Sequence, residues 1–375
     1  MHVLLDGMQA VNKSGIGSYT CALMRELPAV SKDLELRALC PFTMLEEFKE
    51  VESMSLVPCT DARSPLASLH RSFVMAKSVG RQPTDLLHYP ASFTRFLGSG
   101  LSRASKVILT VHDLSFLREP GWFRWDRSVY YRAMIRRSVR HATRILADSE
   151  ATSRDLQDYL DVDPSRIDVT PLGVDSRFRP ASDNEVARAR ETYKLPKTFF
   201  LFVGTLEPRK NVPRLIQAFD SIAGECEADL AIAGRNGWKF DSIYDAAAAA
   251  KHSGRIHFLG YVADDMLPAV LSAAEAFVWP SLWEGFGLPP LEAMACGAPV
   301  ITSNTSSLPE VVGDAALTVP PEDADAIAHA MRSLLADPEL RRSLRDRGMR
   351  RAGEFTWRRT AEQTYAAYRK ACEMN

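Results

Sequence analysis

Residues Ala276 to Ser303 read AFVWPSLWEGFGLPPLEAMACGAPVITS. A short apolar run, Ala276 to Trp279, predicts a buried strand that Pro280 breaks. It leads into a glycine-rich loop, Glu284-Gly285-Phe286-Gly287. Leu288-Pro289-Pro290 then opens a helix expected over Leu291 to Cys296 and closed at Gly297, and a second buried strand follows at Pro299 to Thr302. Proline at the start and glycine just past the end are ordinary helix punctuation. A strand, a glycine loop and a helix N-terminus together make a site for phosphate and hydroxyls. The loop amides can donate, and the helix dipole adds about half a positive charge. Two carboxylates bracket this device, Glu284 before it and Glu292 one turn into the helix.

Outward from that stretch, 375 residues are enough for two domains, and 46% hydrophobic content supplies two cores. The longest apolar runs, such as Phe199-Phe200-Leu201-Phe202-Val203, are far too short to span a bilayer. Residues 1–20 carry Asp6, Asn12 and Lys13 and lack an apolar core, so no secretory signal is expected. Cys21, Cys40, Cys59, Cys226, Cys296 and Cys372 are scattered without pairing or metal spacing. They read as reduced thiols of a cytoplasmic protein. A net charge of −1 gives no bulk attraction for nucleic acid.

The chain alternates β and α signals throughout. His2 to Leu5 is a first strand, and Ser14-Gly15-Ile16-Gly17 leads into an amphipathic helix with Tyr19, Leu23 and Leu27 on one stripe. A dinucleotide-binding loop fits poorly there, because the third glycine is missing and the strand lies too far upstream. Leu36 to Leu39, Leu86 to Tyr89 and Thr143 to Ala147 read as strands, and Leu45 to Val51 as a helix. Lys106 to Val111 is a β-branched strand that delivers His112-Asp113 at its C-terminal edge, where open α/β sheets bind ligands. Between Arg118 and Arg144 eight arginines interleave with Trp122, Phe123, Trp125, Tyr130 and Tyr131, and Arg132, Arg136 and Arg140 share one helical stripe. A solvated helix face would explain the stripe, and so would contact with anionic lipid headgroups or a pyrophosphate-linked acceptor. Phe178 to Asn184 has the composition of a linker. Thr198 to Val203 starts a second domain, and Arg209 and Lys210 then precede a helix, a natural half of an anion site.

Glu284-Gly285-Phe286-Gly287-Leu288-Pro289 followed by Leu291-Glu292-Ala293-Met294 resembles the E-x7-E signature of retaining GT-B glycosyltransferases, in particular family 4 and its bacterial polysaccharide mannosyltransferases. The resemblance runs from Ser14-Gly15-Ile16-Gly17 to Phe355-Thr356-Trp357. It implies two Rossmann-like domains facing across a cleft: an acceptor-side domain over 1–180, a nucleotide-sugar domain over 181–355, and a final helix over 356–375 that packs back on the first domain. It also implies transfer of a hexose, mannose from GDP-mannose, to a hydroxyl of a glycan or lipid-linked acceptor in polysaccharide biosynthesis. UDP-hexoses are the alternative donors. By resemblance, His112 contacts the donor sugar, and Gly15 and Gly17 bring amides to the donor phosphate. Arg209 and Lys210 neutralise that phosphate, Glu284 fixes sugar hydroxyls, and Glu292 accepts from the ribose. Tyr261 and Val262 line the base, and Gly285, Phe286, Gly287 and Leu288 form the loop around the donor. Neither a cofactor nor a metal is implied, and nucleic acid is not a partner. Asp161-Val162-Asp163 has the D-x-D spacing of metal-dependent glycosyltransferases, but Pro164 marks it as a turn. Many family members carry arginine where this chain has Thr205, in an R-x4-K pattern with Lys210. Arg209 is the nearest substitute cation, although adjacent residues before a helix are expected to point apart. Two other readings share this architecture, a nucleotide-sugar epimerase and a non-catalytic sugar-nucleotide-binding protein. A cytoplasmic protein, peripheral on the inner face of the membrane, fits all of these expectations.

Overall fold

A computed structural model describes residues 1–12, 15–61, 70, 71, 73–75, 77–79, 83–93 and 106–374. Lys13 and Ser14 lie outside the described residues. The chain divides into two compact units. The first comprises Met1–Arg118, Trp125–Gly173 and Thr356–Asn375, and the second comprises Glu119–Arg124 and Val174–Phe355.

Among the described residues, the first unit contains β1 (His2–Leu5), β2 (Glu35–Pro41), β3 (Met54–Cys59), β4 (Leu86–Tyr89), β5 (Lys106–Val111), β6 (Arg144–Ala147) and β7 (Ile167–Val169). They form one sheet in the order β3-β2-β1-β4-β5-β6-β7, parallel throughout. The second unit contains β8 (Phe199–Val203), β9 (Asp229–Ala233), β10 (Ile256–Gly260), β11 (Ala276–Trp279), β12 (Val300–Ser303) and β13 (Leu317–Val319). These make a parallel sheet in the order β10-β9-β8-β11-β12-β13. Central strands are covered on both faces and read as unbroken apolar runs, as parallel sheets require. Phe199, Phe200, Phe202, Phe277 and Trp279 are all fully buried. Phe202 stacks on Trp279 at 5.0 Å, a contact worth about 0.5–1.5 kcal/mol beyond its buried area.

Strand order reverses between β1 and β4 in the first sheet and between β8 and β11 in the second. The chain leaves such neighbouring strands in opposite directions, which opens a crevice at their C-terminal edges. The loops after β1, β8 and β11 are those that carry Gly15, Lys210 and Glu284.

Six helices matter to the sites: α1 (Gly15–Glu26), α2 (Trp125–His141), α3 (Glu150–Leu160), α4 (Val212–Ile222), α5 (Leu288–Ala295) and α6 (Trp357–Glu373). Tyr19 and Leu23 of α1 are fully buried, as the apolar stripe predicts. The helix expected at Leu291 begins earlier, at Leu288, because Pro289 and Pro290 fit a first turn whose N–H groups have no partner within the helix anyway. The helix expected over Leu45 to Val51 stops at Phe48, and β3 has no counterpart in the sequence reading. Its burial alternates irregularly, as befits an edge strand containing Pro58. Asp183 and Asn184, read as linker, instead open a helix that Ser182 caps with Glu185 in a reciprocal capping box. Asp161 is a left-handed helix cap and Asp163 caps a short 3₁₀ turn, so the D-x-D residues are spent on turn geometry.

α6 belongs to the first unit. Its Trp357 ring lies 6.4 Å from Tyr19, and its Tyr368 hydroxyl meets His88 Nδ1 at 2.6 Å.

Candidate functional site

In the second unit, two loops at the sheet's reversal point are stitched together. The Leu282 N–H donates to the Arg209 carbonyl at 2.9 Å, and the Asn211 amide donates to the carbonyls of Pro280 and Pro321. Arg209 and Lys210 end a 3₁₀ turn, Pro208–Lys210, and Asn211 follows at φ 58 before α4 begins. This geometry corrects the expectation that the two cations point apart, because the tight turn and the left-handed residue bring both onto Glu284. The Lys210 ammonium donates to Glu284 Oε1 at 2.7 Å, and Arg209 donates to Glu284 Oε2 at 2.8 Å. Arg209 also donates to the Trp283 carbonyl at 2.5 Å and to Glu207 at 3.0 Å. Glu207, Lys210 and Glu284 are buried, at 4%, 8% and 8% exposure. The four charges cancel, which is the condition for burying them at tolerable cost.

Burial alone would raise the Glu284 carboxyl. Arg209 and Lys210 outweigh it and hold the group at about 2. Lys210 moves down from the usual lysine value, first through burial and then through Arg209 beside it. Trp279 forms its floor, with Nζ 4.6 Å from the ring centroid. The core aromatic stack thus also seats the cation.

The glycine loop is held by its neighbours. Ser306 accepts from the Glu284 N–H at 3.0 Å, and the Ser307 hydroxyl lies 2.6 Å from the Phe286 carbonyl and 3.0 Å from that of Glu284. Phe286 is buried against Phe355, 5.7 Å between centroids. Gly287 sits at φ 121, a conformation that a side chain would strain. Since Pro289 and Pro290 lack N–H groups, Leu288 and the loop supply the donors at this helix start.

Glu292 lies one turn into α5. Burial is the main cause that raises its carboxyl to about 7, with Asp175 and Asp264 adding to it and Arg177 opposing. Tyr261 is 41% exposed, donates to Asp264 at 2.5 Å and lies under the Arg235 guanidinium at 4.1 Å, while Val262 is buried. Thr205 is exposed.

In the first unit, Gly15 and Gly17 open α1. A Cβ on Gly17 would lie 1.7 Å from the Asn12 carbonyl oxygen, so the loop can fold back on the helix only over glycine. His112 follows β5. Its Nδ1 lies 2.7 Å from Asp148 Oδ2 and its Nε2 lies 3.2 Å from the Pro90 carbonyl oxygen. Both ring nitrogens therefore have protein partners. Thr110, Tyr19, His88 and Tyr368 form a buried hydrogen-bonded chain behind it.

Sequence reasoning missed Glu207, Arg177, the Ser306-Ser307 pair and Asp148. Glu207 and Asp148 each stand within a few residues of a strand's C-terminal end, which is the signal that could have found them.

α2 leaves Trp125, Val129 and Tyr130 at 80%, 60% and 58% exposure, with Arg127, Arg132, Arg136, Arg137 and Arg140 also exposed. Among the described residues no helix is long and apolar enough to cross a membrane.

Residues 13–178 match the family model "Glycosyltransferase Family 4", and residues 183–351 match "Glycosyl transferases group 1". The chain is 33% identical over 371 residues to the O-antigen chain mannosyltransferase B of Escherichia coli, covering 95% of this chain and 96% of that protein. It is 31% identical over 299 residues to the MMP alpha-(1->4)-mannosyltransferase of Mycolicibacterium hassiacum, covering 73% and 69%. Its fold is similar to sucrose-phosphate synthase from Thermosynechococcus elongatus, with TM-score 0.80 and 22% identity over 98% of each chain. Anabaena HepE in complex with UDP-glucose is likewise similar, with TM-score 0.72, 18% identity and 98% and 99% coverage. The chain belongs to glycosyltransferase family 4 and has the GT-B fold.

Proposed function

We propose that this hexosyltransferase moves mannose from GDP-mannose to a hydroxyl of a glycan or lipid-linked saccharide, with retention of the anomeric configuration, during polysaccharide biosynthesis. Family membership carries the glycosyltransferase class. Support for mannose comes from the named activities of the Escherichia coli and Mycolicibacterium relatives. The geometric observation behind the chemistry is the Glu284 carboxylate held by Arg209 and Lys210 at the point where the second sheet reverses.

The leaving group of such a transfer is a nucleoside diphosphate, and the sugar passes through an oxocarbenium-like transition state. Negative charge must be met on the diphosphate side and positive charge on the ring side. A diphosphate carries more charge than one carboxylate, so it competes with Glu284 for Lys210 and Arg209. Glu284, drawn toward the sugar, then binds hydroxyls and favours the developing ring charge. The amides of Gly287 and Leu288 add donors at the phosphate, as do those of Gly15 and Gly17 from the first unit. Tyr261 and Val262 take the base. A Glu292 carboxyl near 7 serves a ribose well, because hydroxyls can donate to its ionised form and accept from its protonated form. These cations and dipoles supply the charge, and the reaction needs no dedicated metal.

The exposed arginines and aromatics of α2 suit an anionic membrane surface, which supports a peripheral position on the cytoplasmic face. Calorimetry with GDP and UDP, followed by a donor–acceptor array read by mass spectrometry, tests the assignment. GDP should bind and GDP-mannose should give a glycosylated product. Tight UDP binding with none for GDP overturns the donor.

A further inference from the structure

β5 and β6 run parallel, and their register pairs Val111 with Ala147. One residue beyond that pair, His112 stands beside Asp148. Asp148 is 1% exposed, with Oδ2 2.7 Å from Nδ1 of the imidazole. The Pro90 carbonyl oxygen, which follows β4, lies 3.2 Å from Nε2. A carbonyl and an ionised carboxylate can only accept, so both ring nitrogens must donate. A neutral imidazole would turn a lone pair toward one of the two acceptors. Tyr19 of α1 packs T-shaped on the same ring at 5.1 Å and limits its rotation.

We propose that Asp148 is a positioning residue for the transfer reaction: it fixes the His112 ring and keeps both ring nitrogens protonated, so that the first unit offers a cation to the donor. This rests on the reading of His112 as a donor-binding residue. Asp148 Oδ1 is buried and has no hydrogen-bond partner among the described residues. An orphaned buried acceptor lowers stability unless a charged partner compensates it. Here the cost is offset by the charge on the imidazole. Burial raises the Asp148 carboxyl, and the charge on His112 opposes that rise, as does the positive end of α3, whose N-cap Ser149 follows Asp148.

The titratable groups facing the ring are Asp113 beside it in the chain, Asp148 just after β6, His88 from β4 and Tyr19 from α1. Burial lowers His88 to about 3, so it brings no competing charge. Burial raises Tyr19, which stays neutral. Burial would also lower His112, but the Asp148 carboxylate outweighs it and carries the imidazole above its usual value. The cation is present below that raised value and is lost as pH rises through it.

The test uses the full chain with ¹³C-labelled histidine, following the His112 Cε1 resonance against pH, with His112→Asn used for assignment. In parallel, kcat and KM for transfer from GDP-mannose are measured over the same range. Asp148→Asn keeps the size and one acceptor oxygen but removes the charge. Its His112 titration should fall by at least about one pH unit, a tenfold change in proton affinity. At neutral pH its kcat should drop ~10-fold with KM nearly unchanged, and should recover as pH is lowered and the imidazole regains its proton. Asp148→Ala also loses the geometric hold and should not recover. An identical His112 titration in wild type and Asp148→Asn overturns the proposal. A shifted titration with an unshifted kcat profile overturns it too, and places the fault in the donor-binding role of His112. If the wild type transfers no sugar, the proposed function fails, while the substrate-free titration still decides whether the pair is charged. If Asp148→Asn does not fold, a wild-type His112 that is uncharged at neutral pH overturns the proposal.

Discussion

Replacing Arg209 with alanine puts the charged cluster of the second unit to its most direct test. The guanidinium spans the Trp283 carbonyl, Glu284 and Glu207. Burial opposes ionisation of Glu284, yet Arg209 and Lys210 bring its carboxyl from 4.5 to about 2. That gap is worth roughly 3 kcal/mol at neutral pH, shared between the two cations. Arg209→Ala leaves Glu284 on Lys210 alone and takes the same partner from buried Glu207. Removing one member of a buried ion pair costs about 3–5 kcal/mol, because the remaining charge stays desolvated. A carboxylate with a depressed pKa contributes stability above its unfolded value and loses it as pH falls through the folded one. The stability gap between wild type and variant should therefore be full at neutral pH and shrink as pH falls from about 4.5 toward 2.

Turnover should fall at least ~10-fold, the equivalent of about 1.4 kcal/mol in the transition state, since Thr205 brings no charge to replace the lost cation. Thr205→Ala should cost less, because Thr205 is exposed and offers one hydroxyl. Arg209→Lys keeps the charge but is a point donor that cannot span three acceptors, so it should fall between. The assays are kcat and KM with GDP-mannose, and Tm across pH. Near-normal kcat in Arg209→Ala would refute the catalytic part and leave the phosphate to Lys210 and the loop amides. An unchanged Tm would refute the clamp.

Glu284→Ala should mainly lower kcat, since its contact strengthens as charge develops on the sugar, whereas Glu292→Ala should mainly weaken nucleotide binding. Steady-state kinetics with GDP-binding calorimetry separates the two, and the same defect in both variants would sink the division of roles. Binding to anionic vesicles should decline with rising salt and when Arg132, Arg136 and Arg140 are neutralised together, because this attraction is screened within about 10 Å. Equal recovery on neutral and anionic vesicles would leave α2 as a solvated face.

Much of the architecture was legible because most strands here are short apolar runs bounded by punctuation. Phe199–Val203 and Ala276–Trp279 could scarcely be anything but buried strands. The exposed arginine stripe of α2 was legible for the same local reason, a spacing that repeats with the helix. β3 was not legible, because an edge strand containing proline and half-exposed on both faces lacks any period. α5 starts three residues before the expected Leu291, because Pro289 and Pro290, read as the punctuation ahead of the helix, lie inside its first turn.

The candidate site divides along the same line. Glu284, Lys210 and His112 stand in recognisable local settings, each at a strand's C-terminal edge. What each one touches depends on which strands are neighbours, and that is not local information. Arg209 converges on Glu284 because β8 lies next to β11, although dozens of residues separate them in the chain. Asp148 meets His112 because β5 and β6 are adjacent and in register, so that residues one step past Val111 and Ala147 must face each other. Once the strand order is known, both partnerships follow by counting. A βα sheet therefore holds its chemistry in pairs of loop residues at matching heights, and searching such pairs across adjacent strands finds Asp148, whereas searching motifs along the chain does not.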